Sequence, residues 1–238
     1  MKNKSLFYSV IAAVFLLLTT SSASALQMNP LSLVLKPSGG GSKQSVTVSN
    51  ESNKPIAVQF SVTTRQQINN KEVRHPADKE FMIYPPQMII PARSTQKVRV
   101  EWLGAGKLPR EKAYRLIAEQ VYVSLDNKNQ TGVKMLMTLV GALYVQPDGM
   151  KSNLKVNSVK RHGNQLAVIV SNQGNRHRLM KYATLILRNG GQTISLRGKQ
   201  LLGLDGNNVL GGSTKRFFVP LPRGFRDGAW QAQLKIPQ

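Results

Sequence analysis

The sequence predicts an all-β protein built as two antiparallel sandwiches, and three observations carry that reading. Its ordered stretches alternate apolar and polar residues with period two. Clusters of Gly, Pro, Asn and Ser separate those stretches at short intervals, as turns between strands do. No segment longer than about ten residues carries the 3.6-residue apolar stripe of a helix.

The elements follow in order. Leu31-Ser32-Leu33-Val34-Leu35 is the first predicted strand, and Gly39-Gly40-Gly41 turns the chain into Ser45-Val46-Thr47-Val48. Residues 57–62 form the next. Residues 96–102 then alternate cleanly, with Val98, Val100 and Trp102 on one face. Residues 110–117 are expected to open with at most one helical turn. At Gln146-Pro147-Asp148-Gly149 a strand must stop, because Pro147 has no N–H for a ladder and Asp-Gly favours a tight turn. The pattern restarts over 154–156, 165–170, 182–187, 216–219 and 230–236. Two domains are expected, 26–147 and 148–238, with no repeat of fixed period.

The first 25 residues have the layout of a signal peptide. Lys2 and Lys4 precede an apolar stretch over 6–18, and Ala23-Ser24-Ala25 offers small residues for cleavage. That stretch falls short of the roughly 20 apolar residues of a spanning helix. Export to the periplasm is expected, without stable membrane insertion.

Composition narrows the function further. The 238 residues are 41% hydrophobic, enough for real cores. There is no cysteine, which excludes thiol catalysis and cysteine metal sites. The net charge of +22 suits an anionic partner, but the basic residues are dispersed and export argues against nucleic acid. His75, His162 and His177 show no zinc-ligand spacing, and the latter two are expected to be exposed loop residues. Neither a Gly-x-Ser-x-Gly elbow nor a phosphate loop is present, and no carboxylate pair stands out. No enzyme, no metal and no cofactor are therefore expected.

One stretch is anomalous. From Val133 to Val145 the chain is apolar on both faces of a strand. Val133, Met135, Met137 and Leu139 share one side; Leu136, Val140, Ala142 and Tyr144 share the other. Two readings are open: a central core strand, buried on both sides, or a strand that lends one side to a partner by β-addition. In the second reading Leu136, Val140 and Tyr144 face the home core and the methionine side is spare. Met suits such a role, since its flexible thioether adapts to several pockets.

The ordered set of motifs in the first domain resembles the periplasmic pilus chaperones of the PapD type. It comprises Val46-Thr47-Val48-Ser49-Asn50 with Lys54-Pro55, and Phe81-Met82-Ile83-Tyr84-Pro85-Pro86 running through Pro91 to Gln96-Lys97-Val98-Arg99-Val100. Leu108-Pro109-Arg110-Glu111 enters the sixth strand, and Tyr144-Val145-Gln146-Pro147 leaves the seventh. The resemblance implies two immunoglobulin-like sandwiches set at an angle. It implies that pilus subunits are held by strand donation and passed to an outer-membrane usher. The donor residues it implies are Val133, Met135, Met137 and Leu139.

The resemblance also has departures. Chaperones of the best-known branch clamp the subunit's terminal carboxylate with an Arg on the first strand and a Lys on the seventh. Here those positions are Val34 and Ala142, and Gln120-Val121 replaces the usual Ile-Pro. These features look more like the archaic or alternative branch. Arg115 and Lys36 are the candidates for the carboxylate anchor, since a desolvated carboxylate needs a partner. The alternative for Arg115 is an exposed residue paired locally with Glu111 or Glu119. Two other functions compete with a chaperone: a structural or adhesive sandwich protein such as a pilus component, and a basic carbohydrate- or nucleic-acid-binding module. The first would need a donor extension of its own, and the second would interleave aromatics with its basic residues.

Overall fold

Nineteen strands and three short 3₁₀ turns make up the described residues of the computed structural model, which are 26–104, 106–122 and 136–237. In the first half lie β1 (Leu26–Asn29), β2 (Ser32–Leu35), β3 (Lys43–Asn50), β4 (Ile56–Thr64), β5 (Gln66–Ile68) and β6 (Lys71–Val73). They are followed by β7 (Phe81–Tyr84), β8 (Gln87–Ile90), β9 (Ser94–Trp102), β10 (Lys112–Val121) and β11 (Thr138–Val145). The second half holds β12 (Leu154–His162), β13 (Gln165–Asn172), β14 (Arg178–Leu179), β15 (Thr184–Asn189) and β16 (Gln192–Arg197). It ends with β17 (Asn208–Val209), β18 (Thr214–Pro220) and β19 (Gln231–Lys235). No helical turn opens β10, which is strand from its first residue.

In the first half a four-stranded sheet, β1-β3-β9-β7, faces a five-stranded sheet, β2-β11-β10-β4-β8. Alternating residues such as Val46, Val48, Val58, Val62, Val98, Val100, Leu143 and Val145 fill the space between them and are fully buried. A strand that changes sheets explains the one departure from the antiparallel expectation. The chain runs along β3 as β1, turns at Pro30, and crosses to lie parallel to β11 as β2, pairing Ser32 with Ala142 and Leu35 with Val145. The second half builds its own core from two three-stranded sheets, β12-β13-β18 and β16-β15-β19, around residues that include Leu166, Val168, Leu185, Leu187, Phe217 and Val219. The two separate cores realise the all-β, two-sandwich fold class.

A short motif, occurring twice and so without a fixed period, connects the halves. Val48-Ser49-Asn50-Glu51-Ser52-Asn53-Lys54 returns as Val170-Ser171-Asn172-Gln173-Gly174-Asn175-Arg176. Asn50 and Asn172 are both buried where a core strand ends, and their side chains do the same work. Each amide donates to the carbonyl four residues on, Lys54 or Arg176, and to a carbonyl of a distant segment, Ile90 or Val209. Each side-chain oxygen accepts the N–H two residues on. A buried amide must be satisfied on both sides, so this turn recurs with little room for change. Fixed-period searches miss it because it occurs only twice.

The halves meet through hydrogen bonds. The Tyr144 hydroxyl accepts from Arg65 Nη1 at 3.0 Å and from Asn208 Nδ2 at 2.7 Å. Arg65 Nη2 reaches Asn208 Oδ1 at 2.8 Å. His177 lies stacked on the Tyr144 ring, with centroids 3.9 Å apart, and its Nδ1 sits 2.8 Å from a buried oxygen of Glu111. The expectation that His177 is an exposed loop residue is corrected here: it plugs the junction, where a ring can stack and a buried carboxylate needs a partner. His162 is exposed, at the end of β12.

Candidate functional site

The anomalous strand is paired on one side only over half its length. Antiparallel pairing with β10 runs along all of β11, from Thr138 opposite Glu119 to Val145 opposite Lys112. Parallel pairing with β2 covers only Ala142 to Val145. Among the described residues no strand lines the other edge of 138–141, so backbone N–H and C=O groups there are open to a further strand.

The two faces of β11 are the reverse of the expected ones. Leu143 and Val145 are fully buried in the first core, and Leu139 and Met137, four and six positions before Leu143 on the same side, pack half-buried against it. Leu136 and Val140 are the exposed apolar residues, at 49% and 38%. Tyr144 is buried, but against the second half rather than its own core. Met137 and Leu139 are therefore not on a spare face. Register decides this: pairing with β10 places Leu143 opposite Tyr114 and Gly141 opposite Leu116, both inward residues. Gly141 belongs to that inward row because a Cβ there would meet Met28 Cε at 2.8 Å and the Leu31 carbonyl at 3.1 Å. Val133 and Met135 lie outside the described residues.

Arg115 stands opposite Ala142 on one side and Thr63 on the other, in the outward row of the five-stranded sheet. Its partner is neither Glu111 nor Glu119. Nε donates to Glu72 Oε1 at 2.9 Å and Nη2 to Glu72 Oε2. Arg65 Nε holds Oε2 at 2.8 Å, and Arg74 Nε holds Oε1 at 2.6 Å. Three guanidinium groups thus surround one carboxylate. Burial works to raise the Glu72 pKa, but hydrogen bonds from Arg115 and Arg74 and the charges of Arg115 and Arg65 outweigh it, bringing it to about 2. Glu72 arrives on the small β5–β6 hairpin, whose two-residue turn has positive φ at Asn69 and Asn70, as such hairpins require. Asn70 Oδ1 also accepts Arg216 N from the second half, at 2.7 Å.

Lys36 is bonded to Asp148, and both side chains are largely exposed. It lies just past β2, away from Arg115, and forms a surface pair of small energetic worth. Sequence reasoning missed Glu72, Arg65 and Arg74. Glu72 lies 43 residues from Arg115, beyond any local pairing rule. The one available signal was Asn69-Asn70, a two-residue turn between polar flanks. Among the described residues no group of three His, Asp or Glu could hold a metal ion.

Solved structures of similar fold are chaperones of pilus assembly. One is a chain of the CsuC–CsuE chaperone–tip adhesion subunit pre-assembly complex from archaic chaperone-usher Csu pili of Acinetobacter baumannii. It is 17% identical, covers 82% of this chain and 90% of that chain, and has a TM-score of 0.56. Another is from the Salmonella enterica SafA pilin in complex with the SafB chaperone, at 21% identity, 84% and 86% coverage, and a TM-score of 0.55. The E. coli chaperone DraB gives the same four figures. No curated protein sequence matches the chain. The family model described as pili and flagellar-assembly chaperone, PapD N-terminal domain, matches residues 25–151, more than half of the chain. The protein belongs to that family, which is one of periplasmic, non-enzymatic pilus-assembly chaperones.

Proposed function

We propose that this protein binds pilus or fimbrial subunits in the periplasm by lending them the first part of β11 and the residues before it, and delivers them to an outer-membrane usher. The observation that carries the reading is the one-sided pairing of β11 together with its inward apolar row. That row begins in the home core with Val145 and Leu143, and is only half-buried by Leu139 and Met137, at the core margin. The sequence continues the alternation with Met135 and Val133. One face can therefore serve both molecules, the home core at one end and a subunit at the other. Ladder hydrogen bonds from the open edge supply affinity, and the alternate side chains fill the subunit's groove.

Arg115 is proposed as the anchor for the subunit's terminal carboxylate. It lies in the row of Ala142, the position where the better-known branch has its lysine, and its Nη1 has no acceptor among the described residues. Lys36 is the weaker candidate, because Asp148 already pairs with it. Export of the chain rests on residues 1–25, which lie outside the described residues. No enzymatic step is part of this reading, and no cofactor is invoked.

The test is co-purification from periplasm of the wild type and a V133S/M135S variant, with V140S on the outward face as control. Each buried apolar side chain contributes roughly 1.5–3 kcal/mol. The double variant should lose bound subunit by more than a hundredfold with its melting temperature little changed. Subunit bound equally by the double variant and the wild type would refute strand donation.

A further inference from the structure

Leu202 and Tyr182 are the most exposed large apolar side chains among the described residues, at 72% and 71%, and both lie on one group of turns in the second half. In Leu201-Leu202-Gly203-Leu204, Leu201 and Leu204 are fully buried, so the loop is pinned into the second core and Leu202 is left outside. A 3₁₀ turn over Gly198–Leu201 leads into it, with Leu202 N donating to the Lys199 carbonyl at 3.3 Å. The loop is then laced to the residues before β15. Met180 N donates to the Asn207 carbonyl at 2.7 Å, Gly206 N to the Met180 carbonyl at 3.1 Å, and Tyr182 N to Asp205 Oδ1 at 2.9 Å. Tyr182 has a φ of 56°, a conformation that residues other than Gly, Asn and Asp rarely take. Backbone strain is thus spent on a ring that stands outside the core.

Basic residues accompany this pair. Lys181 Nζ lies 5.0 Å from the centre of the Tyr182 ring, and Lys199 is exposed on the turn that presents Leu202. In the sheet, Thr184 stands opposite Arg197 on one strand and Lys235 on the other, two residues on from Tyr182. Within residues 178–206, Asp205 is the one acid against Arg178, Lys181, Arg188, Arg197 and Lys199, and its Oδ1 is taken by Tyr182 N. Two apolar side chains fall far short of a stable protein interface, which buries roughly 800 Å² per partner. Their match is a bilayer with anionic headgroups. There a Tyr ring settles at headgroup level with its hydroxyl in water, a Leu enters the acyl boundary, and Lys stems reach back to the phosphates.

We propose that this group of turns docks on an anionic phospholipid bilayer, with Tyr182 and Leu202 entering the headgroup region and Lys181 and Lys199 meeting the lipid phosphates. The contact is peripheral: two side chains enter the interface, and no helix among the described residues is long and apolar enough to cross a membrane. Arg197 and Lys235 add to the local positive field. The surface belongs to the second sandwich alone, so the inference does not rest on strand donation by β11.

The test is co-sedimentation of the purified protein with vesicles of phosphatidylcholine alone, or of phosphatidylcholine mixed equally with phosphatidylglycerol. The wild type should bind the anionic vesicles at least about tenfold more tightly than the neutral ones. Y182N/L202S, in which the Asn tolerates the left-handed backbone, should weaken that binding about tenfold or more. K181Q/K199Q should do the same. Melting temperatures should match the wild type, because all four side chains are exposed; L202S alone serves if the double variant folds poorly. The net charge of +22 attracts anions over the whole surface. The controls are therefore Y84S and K43Q/K97Q, which remove a similarly exposed tyrosine and two exposed lysines from the first half and should bind like the wild type. The chain has no cysteine, so L202C accepts a single environment-sensitive fluorophore. Its emission should shift to the blue with anionic vesicles, while the same label on Y84C should not shift. Equal losses for K181Q/K199Q and K43Q/K97Q, or wild-type binding by Y182N/L202S, would reduce the contact to general charge and overturn the site. Failure of the wild type to bind the anionic vesicles would overturn it outright.

Discussion

Glu72 illustrates how one carboxylate can organise a region that the surrounding sequence leaves blank. Three arginines, from the β4–β5 link, from just past β6 and from β10, converge on it, and its pKa near 2 expresses their combined hold. A carboxyl whose folded pKa lies below its ordinary value of 4.5 contributes stability that is fully present above the ordinary value. That contribution is lost as pH falls toward the folded one. Thermal unfolding followed from neutral pH to about pH 2 should therefore show E72Q less stable than wild type at neutrality. The gap between them should narrow over the acid limb, as the wild type loses what the variant never had. Glu72 is partly exposed, so solvent screening keeps the gap modest. Parallel curves throughout would show that the carboxylate adds nothing to the fold. Arg115 was legible as a functional candidate because a basic residue was missing elsewhere. Its partner was not, since a hairpin 43 residues away supplies it.

At the scale of an element, β11 is a strand whose two ends have different duties. Leu143 is fully buried, so L143A should cost about 2–5 kcal/mol of stability through lost burial and a cavity. Met137 sits at the core margin, and M137S should cost less, roughly 1–2 kcal/mol. V140S, on the exposed side, should leave the melting temperature within error. Chemical denaturation of the three variants checks the order. A larger loss for V140S than for M137S would restore the opposite assignment of faces. That the strand exists, and that it is apolar on both sides, was plain from Val133 to Val145. Which side points home was not, because alternation alone cannot distinguish two apolar faces. The distinction comes from ladder register with β10 and from the Leu31 carbonyl pressed against Gly141.

For the molecule as a whole, the junction depends on few groups. Tyr144 couples both halves through its hydroxyl, with Arg65 and Asn208 as donors, and through its ring, which stacks on His177. Y144F keeps the stack and removes the acceptor, leaving two donors at a buried site. Such a loss costs about 1–3 kcal/mol. Calorimetry should show the two halves uncoupling, with a broader or split transition. A single transition shifted by less than a degree would show that the hydroxyl is not what joins them. Charge is distributed unequally at this scale. Residues 148–238 hold 15 Lys and Arg but only Asp148, Asp205 and Asp227 as acids. The second half thus contributes much of the protein's positive field.

Period-two alternation, Gly and Pro punctuation and the absence of helical stripes were enough to determine the all-β class and many of the strands, since those properties depend on near neighbours in the chain. They were not enough for β1, β5, β6, β14, β16 or β17. The ordered motifs over 46–147 were enough to determine the family. Tertiary structure alone decided the parallel placement of β2, the inward face of β11, the burial of His177 against Glu111, and the gathering of Arg65, Arg74 and Arg115 about Glu72. Each of those depends on which distant strand lies alongside which. A residue's own neighbours do not carry that information, because the energy that selects a register is shared among all the contacts the register creates.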